Sequence, residues 1–154
     1  MFRSTFERPL DAKRRIVVPL EYRAAVAGPF DGIFCFPSVE GDCIEAGGKA
    51  LFDRNEALIG EFEVGDPVRY ALEFTLRGGM AQLGFDTAGR VTLPETLCET
   101  FGLTEQVVLV GLGERFQIWG REAFLAERPA QRLVAQQGLR TRAEARRAQL
   151  GGGG

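Results

Sequence analysis

The sequence predicts an α+β fold, mainly β, in which two similar halves close into one barrel with pseudo-twofold symmetry and helices decorate its outside. The first observation is a repeated segment: Asp11-Ala-Lys-Arg-Arg-Ile-Val-Val-Pro19 occurs again as Asp86-Thr-Ala-Gly-Arg-Val-Thr-Leu-Pro94, 75 residues later. The second is that similar apolar runs follow both copies in the same order. The third is that neither half alone has enough strands to bury both faces of a sheet.

Each copy of the segment predicts a strand, a polar turn, a second strand and a short helix. Leu10 and Phe85 precede the turns, and apolar or β-branched residues follow them, which favours strands on both sides. The Asp opens the turn because its carboxylate can accept backbone N–H groups. The Pro cannot donate to a sheet and presets the first helical φ, so helices are expected at residues 20–27 and 95–101.

Apolar runs between glycine-containing turns predict the remaining elements. Strands are expected at residues 33–36, 43–46, 80–85, 107–110 and 115–119. Residues 49–62 carry apolar side chains near helical spacing, which predicts an amphipathic helix packed on the core. Residues 68–76 fit either a helix or an alternating strand, and we favour the helix. A further helix is expected from Arg121 onward.

These elements set the predicted domain boundaries. The first repeat spans residues 1–50, a helical connection residues 51–79 and the second repeat residues 80–125, and both repeats form one globule. Residues 126–154 are expected to be a basic, solvated tail that is partly helical to disordered, rather than a dedicated binding arm. The terminal glycines, residues 151–154, are expected to be flexible.

Charge is unevenly distributed along the chain. The formal net charge is −2, yet residues 1–23 carry six Lys or Arg against three acids, whereas residues 31–73 carry three against ten. A polyanion would therefore have to approach one face, and that face should hold the first motif.

Three adjacent cations, Lys13, Arg14 and Arg15, stand on the first turn. An Asp and an Arg four residues apart can pair across such a turn and fix its shape, and the sequence leaves open whether Asp11 and Asp86 do more than this. A single acid explains three neighbouring cations poorly, because exposed pairs of this kind contribute little energy. The cluster therefore favours a polyanionic partner.

Gly89 stands where the first copy has Arg14. A glycine there indicates a positive φ, which a residue with a side chain adopts at a cost of about 1 kcal/mol or more. We hypothesise that Arg14 tolerates this strain because its charge helps to bind a polyanion. Replacing Arg14 with Gly should then raise the melting temperature and weaken that binding.

Other classes of function are disfavoured. The chain has no His and no Cys-x-x-Cys, so neither a metal nor another cofactor is expected. We find no nucleophile with a base and no phosphate-binding glycine loop, so catalysis is not expected. Cys35, Cys43 and Cys98 lie in or next to apolar runs and are predicted to be buried free thiols. The sequence offers no membrane-span candidate and no signal-like amino terminus, so a cytoplasmic location is expected.

The two Asp-x-x-x-Arg turns, the opening Met1-Phe-Arg, the Pro at position 19 and the segments at 107–113 and 116–119 together resemble the MraZ family over residues 1–125. This resemblance implies a swapped-hairpin barrel of two SpoVT/AbrB-like repeats, a ring-shaped homo-oligomer and association with the nucleoid. It also implies binding to short G-rich direct repeats in the promoter of the division and cell-wall gene cluster, with repression of that cluster. Arg14 departs from the family pattern, which usually has Gly there.

The resemblance assigns DNA binding to the arginine of the first motif, which is Arg15 here, and its second-copy counterpart is Arg90. The residues expected to contact double-stranded DNA are Lys13, Arg14, Arg15, Arg3, Arg8 and Arg90. The residues expected to shape the turns are Asp11, Asp86 and Gly89. The alternative function is an antitoxin-like protein or a protein-interaction scaffold with the same barrel, and co-purification with a partner protein would distinguish it.

Overall fold

A computed structural model describes residues 1–26 and 28–152 of the chain. The chain forms two compact units, Met1–Arg121 and the segment from Glu122 onward. The first unit combines antiparallel sheet with short helices, which confirms the predicted α+β class. None of the described helices is both long enough and apolar enough to cross a membrane.

Eight strands form in the order that the two copies of the repeated segment predict. They are β1 (Thr5–Pro9), β2 (Arg15–Val17), β3 (Gly32–Pro37), β4 (Ile44–Gly47), β5 (Ala81–Gly84), β6 (Arg90–Thr92), β7 (Gln106–Gly111) and β8 (Phe116–Gly120). Each predicted strand is present, with bounds that differ by one or two residues. Apolar and β-branched side chains pack well on a pleated surface, which explains this agreement.

The helices follow the predicted positions. They are α1 (Leu20–Ala25), α2 (Lys49–Gly60), α3 (Pro67–Leu72), α4 (Glu95–Thr100) and α5 (Arg121–Gly151), and a π-helical turn (Glu73–Arg77) continues α3. The ambiguous segment at residues 68–76 is therefore helical, as favoured. The Asp66 side chain accepts a hydrogen bond from the backbone N–H of Val68 and so caps the start of α3. Ala27, which ends the predicted 20–27 helix, lies outside the described residues.

The strands form one sheet of six and one of two. The six-stranded order is β1-β7-β8-β4-β3-β5, and β2 pairs with β6. Exchanging each of β1–β4 with its counterpart in β5–β8 reproduces the six-stranded order in reverse. Within residues 1–26 and 28–152 no ladder joins β1 to β5, so the sheet is not closed into the predicted barrel.

Two apolar clusters hold the first unit together. The larger one includes residues of both sheets and of α1 and α4, with Tyr22 and Phe116 among its largest fully buried side chains. The smaller one joins β3 to α2 and the π-helical turn through Phe36, Leu51, Ile59 and Leu76. Since α2 buries Leu51 and Ile59, its predicted core-facing stripe is confirmed for those positions. Its Phe52, by contrast, is 36% exposed.

A buried polar network crosses the pairing of β4 with β8. Glu45 is 3% exposed, and its carboxylate accepts hydrogen bonds from Ser38 Oγ at 2.9 Å and Gln117 Nε2 at 2.8 Å. Trp119 Nε1 donates in turn to Gln117 Oε1 at 2.8 Å. Arg115 forms an ion pair with Glu45 at 3.0 Å. Hydrogen bonds therefore satisfy Glu45 Oε1, whereas, within the part of the chain that the structure describes, Glu45 Oε2 and Arg115 Nε are buried without a hydrogen bond and meet as an ion pair alone.

The second unit consists mainly of α5. This helix is continuous to Gly151, so the partly helical to disordered tail that the composition suggests is helical throughout residues 126–151. Ala, Arg, Gln and Glu are all strong helix formers, and a long run of them favours helix without much apolar surface. Gly151 therefore ends a helix, while residues 153 and 154 lie outside the described part of the chain.

Candidate nucleic-acid interface

The Asp11 carboxylate organises the first turn. Its Oδ1 accepts hydrogen bonds from the backbone N–H groups of Lys13 at 2.9 Å and Arg15 at 2.8 Å, and its Oδ2 accepts one from Arg15 Nε at 2.6 Å. The hydrogen bond from the Arg15 backbone is the main reason that the pKa of Asp11 lies below its ordinary value. The negative charge that shapes the turn also fixes the direction of the Arg15 side chain.

The second turn repeats this geometry almost atom for atom. Asp86 Oδ1 accepts hydrogen bonds from the backbone N–H groups of Ala88 and Arg90, both at 2.9 Å, and Oδ2 accepts one from Arg90 Nε at 2.7 Å. The pKa of Asp86 is likewise lowered, chiefly by the hydrogen bond from the Arg90 backbone. Each Arg keeps its terminal nitrogens beyond the Nε that the carboxylate holds.

The fourth residue of each turn has left-handed backbone geometry. Gly89 has a φ of 75°, and Arg14 has a φ of 61°. The positive φ expected from the glycine is thus confirmed in both copies. For Arg14 this conformation costs about 1–2 kcal/mol. A hydrogen bond from Arg14 Nε to the Leu93 carbonyl at 3.1 Å offsets part of that cost.

The two-stranded ribbon is formed by one strand from each motif. In the pairing of β2 with β6, Arg15 lies opposite Thr92, Ile16 opposite Val91, and Val17 opposite Arg90. β2 therefore pairs with a strand of the other copy and not with β1, the strand on the other side of its own turn. Sequence reasoning could not identify this partner, because the local hydrophobic pattern does not say which distant strand a segment pairs with.

The ribbon has one buried face and one exposed face. Ile16 and Val91 are each 1% exposed and pack into the core. Because side chains alternate along a strand, Arg15 and Arg90 lie on the opposite face. They are diagonal neighbours, for which Cα atoms are about 7–8 Å apart. Their side chains are 30% and 33% exposed. The ribbon therefore presents two arginines, one from each copy.

Backbone hydrogen bonds tie each turn to the opposite strand. The Leu93 N–H donates to the Arg14 carbonyl at 2.8 Å, and the Val18 N–H donates to the Gly89 carbonyl at 3.1 Å. These are equivalent bonds in the two copies, since 14 and 89, and 18 and 93, are related by the same offset of 75. The turns and the ribbon therefore form one rigid frame.

The remaining predicted cations lie at different distances from this frame. Lys13 is exposed on the first turn. Arg8 is half-buried on β1, with its guanidinium 5.2 Å from the centre of the Phe6 ring. Arg3 lies beyond the other end of β1, next to the bridge between Phe2 and Gly113. Because a five-residue strand is about 16 Å long, the structure does not bring Arg3 together with the turn cations.

Arg23, on α1, is a cation of this region that sequence reasoning missed. Its Nε donates to the Val18 carbonyl at 3.2 Å, and its Cζ lies 2.6 Å from the position that a Cβ on Gly89 would occupy. A signal was present in the repeat, since Arg23 corresponds to Cys98 at the offset of 75 while Gly89 corresponds to Arg14. The second turn therefore has Gly89 in place of the arginine at position 14, but Arg23 places a guanidinium beside it.

Two other features of the described residues bear on the predictions, the possible metal ligands and the three cysteines. Among residues 1–26 and 28–152 no group of three or more His, Cys, Asp or Glu side chains is placed to hold a metal ion. Cys35, Cys43 and Cys98 are free and buried, as predicted, and burial raises the pKa of Cys35 and of Cys43 to about 12. These thiols are therefore poor nucleophiles near neutral pH.

Comparison with known proteins identifies one family to which the chain is similar. Residues 76–147 match the family model for MraZ, described as "MraZ protein, putative antitoxin-like". The chain is 68% identical to the transcriptional regulator MraZ of Phenylobacterium zucineum over 151 residues, which cover 97% of this chain and 94% of the relative. It is 66% identical to the transcriptional regulator MraZ of Caulobacter vibrioides over 154 residues, which cover 99% of each chain.

A more distant relative carries the same name. The transcriptional regulator MraZ of Parvibaculum lavamentivorans is 40% identical over 127 residues, which cover 81% of this chain and 79% of the relative. All three of these relatives are named transcriptional regulators. It belongs to the MraZ family.

Proposed function

We propose that the chain regulates transcription by binding double-stranded DNA through the ribbon of β2 and β6. The observation that carries the proposal is the exposed face of that ribbon, where Arg15 and Arg90 stand side by side. A two-stranded β-ribbon fits the major groove of B-DNA. Lys13 and Arg14 extend the positive charge along the first turn.

The chemistry of the two ribbon arginines suits base recognition. An arginine can donate two hydrogen bonds to O6 and N7 of guanine, which contributes about 1–3 kcal/mol of discrimination against another base. Asp11 and Asp86 each hold the Nε of their arginine, so the terminal nitrogens project from a fixed frame. Such preorganisation reduces the entropy lost on binding. Lys13, on the exposed turn, suits a phosphate contact.

The resemblance to MraZ proteins supplies the target. We propose short G-rich direct repeats in the promoter of the division and cell-wall gene cluster, with repression of that cluster and association with the nucleoid. One subunit offers few cations and the net charge is −2, so single contacts are weak. A ring-shaped homo-oligomer that engages several repeats at once would supply the affinity through multivalency.

An open apolar groove in the first unit supports self-association. The groove has a volume of about 540 Å³. The Phe34 ring lies between those of Phe30 and Phe52, with ring centres 5.8 Å apart and ring planes tilted by 41° and 39°. Exposed apolar surface of this kind is typical of interfaces between proteins. We assign it to contact between subunits.

The pairing of the strands supports a duplicated, pseudo-twofold unit. Ile16 pairs with Val91, and Ile44 pairs with Ile118. Ile16 and Val91 are counterparts at the offset of 75, and β4 and β8 are counterpart strands of the two copies, as expected if one pseudo-twofold axis passes through both ladders. The proposed unit is therefore two SpoVT/AbrB-like repeats that exchange strands, and the two turns are equivalent DNA-binding elements.

Binding to labelled duplexes tests the proposal. We expect the native chain to prefer a duplex with spaced G-rich repeats over a scrambled duplex, with affinity that falls steeply as salt rises. Arg15→Ala should lose the preference. Arg54→Ala, which removes the same charge from the exposed surface of α2, is the matched control and should keep it.

Equal weak binding of the native chain to both duplexes would contradict sequence-specific regulation through the ribbon. The antitoxin-like function named in the description of the family model would then become the leading alternative. A stable, stoichiometric complex with a partner protein on co-purification from its own cells would support that alternative.

A further inference from the structure

Two half-buried guanidinium groups occupy equivalent sites beside the two turns. Arg14 Nε donates to the Leu93 carbonyl at 3.1 Å, and Arg23 Nε donates to the Val18 carbonyl at 3.2 Å. The two carbonyls are counterparts at the offset of 75. The donors are not counterparts, because Arg14 belongs to a turn whereas Arg23 belongs to α1. The first of these equivalent sites is therefore filled by a side chain of the turn, and the second by a side chain of α1.

Beside the second turn, the guanidinium of Arg23 and a side chain at position 89 would occupy the same space. A Cβ on Gly89 would lie 2.6 Å from both Cζ and Nη1 of Arg23, so the guanidinium already occupies the space that a side chain at position 89 would enter. At the offset of 75, the position equivalent to Arg23 is Cys98, which lies on α4. Burial raises the pKa of the Cys98 thiol, and the charge of Arg14 acts in the opposite direction.

We infer that Arg23 is the DNA-binding cation of the second turn, in the role that Arg14 has at the first. This inference rests on the proposed DNA binding by the ribbon. Without Arg23 the second turn carries one arginine and one acid, Arg90 and Asp86, and has no net charge. With Arg23 both ends of the ribbon are positive, so both can contact phosphates on either side of the groove.

The bond from Nε to a carbonyl orients each side chain for this contact. It fixes the guanidinium plane while the terminal nitrogens remain as donors, and an arginine in this state suits a phosphate oxygen. A phosphate contact carries no base information. Arg23 should therefore contribute equally to binding of G-rich and scrambled duplexes, whereas Arg15 contributes to the difference between them.

The alternative is that Arg23 only braces the turn around Gly89. Salt dependence separates the two roles, since each lost phosphate contact lowers the slope of log affinity against log salt by about 0.9. We expect Arg23→Ala to weaken binding to both duplexes at least about tenfold and to lower the slope by about one per subunit bound. Arg54→Ala again serves as the charge control.

A transplanted arginine gives the decisive comparison. The double variant Arg23→Ala with Gly89→Arg rebuilds the arrangement of the first turn and should recover the affinity and the salt slope of the native chain. Gly89→Arg alone should have a lower melting temperature, because a side chain at a φ of 75° is strained and the Arg23 guanidinium must also move aside.

The outcomes separate this inference from the proposed function. If Arg15→Ala abolishes the preference for repeats while Arg23→Ala changes only the melting temperature, Arg23 is a brace and the inference is overturned. Failure of the double variant to recover the slope, with its fold intact by circular dichroism, also overturns it. If the native chain binds neither duplex, the proposed function and the inference both fall.

Discussion

Arg14 offers a direct test of how the first turn balances backbone strain against side-chain contacts. Its φ of 61° is unfavourable for any residue with a side chain. We consider two variants, Arg14→Gly and Arg14→Ala. Both remove the same charge and the same hydrogen bond to the Leu93 carbonyl, and only the glycine removes the strain.

Typical free energies for backbone strain, a hydrogen bond and chain entropy give the size of each effect. Glycine relieves about 1–2 kcal/mol of strain, but it loses about 1 kcal/mol with the hydrogen bond and about 0.5–1 kcal/mol through the greater freedom of the unfolded chain. Arg14→Gly should therefore be about as stable as the native chain, and the higher melting temperature expected from the sequence no longer follows. Arg14→Ala keeps the strain and should be less stable than Arg14→Gly by about 1 kcal/mol.

Urea unfolding of the three proteins at one salt concentration measures these differences. Thermal unfolding provides a second reading, in which the alanine variant should melt about 4 °C below the glycine variant. DNA affinity should fall equally in both variants, because they lack the same cation. An alanine variant as stable as the glycine variant would refute the strain argument.

Three other outcomes follow from the same contacts. The pKa values of Asp11 and Asp86 lie below their ordinary value of 3.8. The two carboxylates therefore stabilise the folded chain above about pH 4, and this contribution is lost below it. Urea unfolding across this range should show the loss, and the double variant Asp11→Asn with Asp86→Asn should show less of it. Glu45→Ala should cost about 3 kcal/mol or more in urea unfolding, because it removes the buried acceptor of Ser38 and Gln117 and leaves Arg115 with only the exposed Glu40, among the described residues, as an ion-pair partner, whereas a cost below about 1 kcal/mol would contradict the network. Because burial raises the thiol pKa of Cys35 to about 12, its alkylation should be slow until urea is added; fast labelling of the folded chain would argue against burial.

Local patterns in the sequence were sufficient to place nearly every element. Alternating apolar residues and the repeated turn indicated the strands, and proline at positions 19 and 94 marked the starts of α1 and α4. These signals depend on neighbouring residues alone. The positive φ at positions 14 and 89 could also be predicted, because a glycine in one copy exposed a backbone requirement that the other copy conceals.

The pairing partners of the strands could not be predicted in the same way. The first motif contains the two strands of an apparent hairpin, yet β1 pairs with β7 and β2 with β6. Both choices bury the same apolar side chains, so the local pattern does not distinguish them. The sequence therefore named Arg15 and Arg90 as candidate DNA-binding residues, but it did not predict that their strands pair into one ribbon.

The position of Arg23 shows why a binding surface is harder to predict than a fold. A fold depends on which side chains are buried, and the two copies bury equivalent residues in and directly after the ribbon strands, Ile16 and Val91 as well as Val18 and Leu93. A charged surface depends on where a guanidinium ends, and a long side chain can reach one point from a turn or from the helix behind it. Comparison of the two copies residue by residue shows that Gly89 stands for Arg14 and Cys98 for Arg23, but it does not show that Arg23 lies beside the Gly89 turn. Only the contact of Arg23 with the Gly89 turn shows that the two sites remain chemically equivalent.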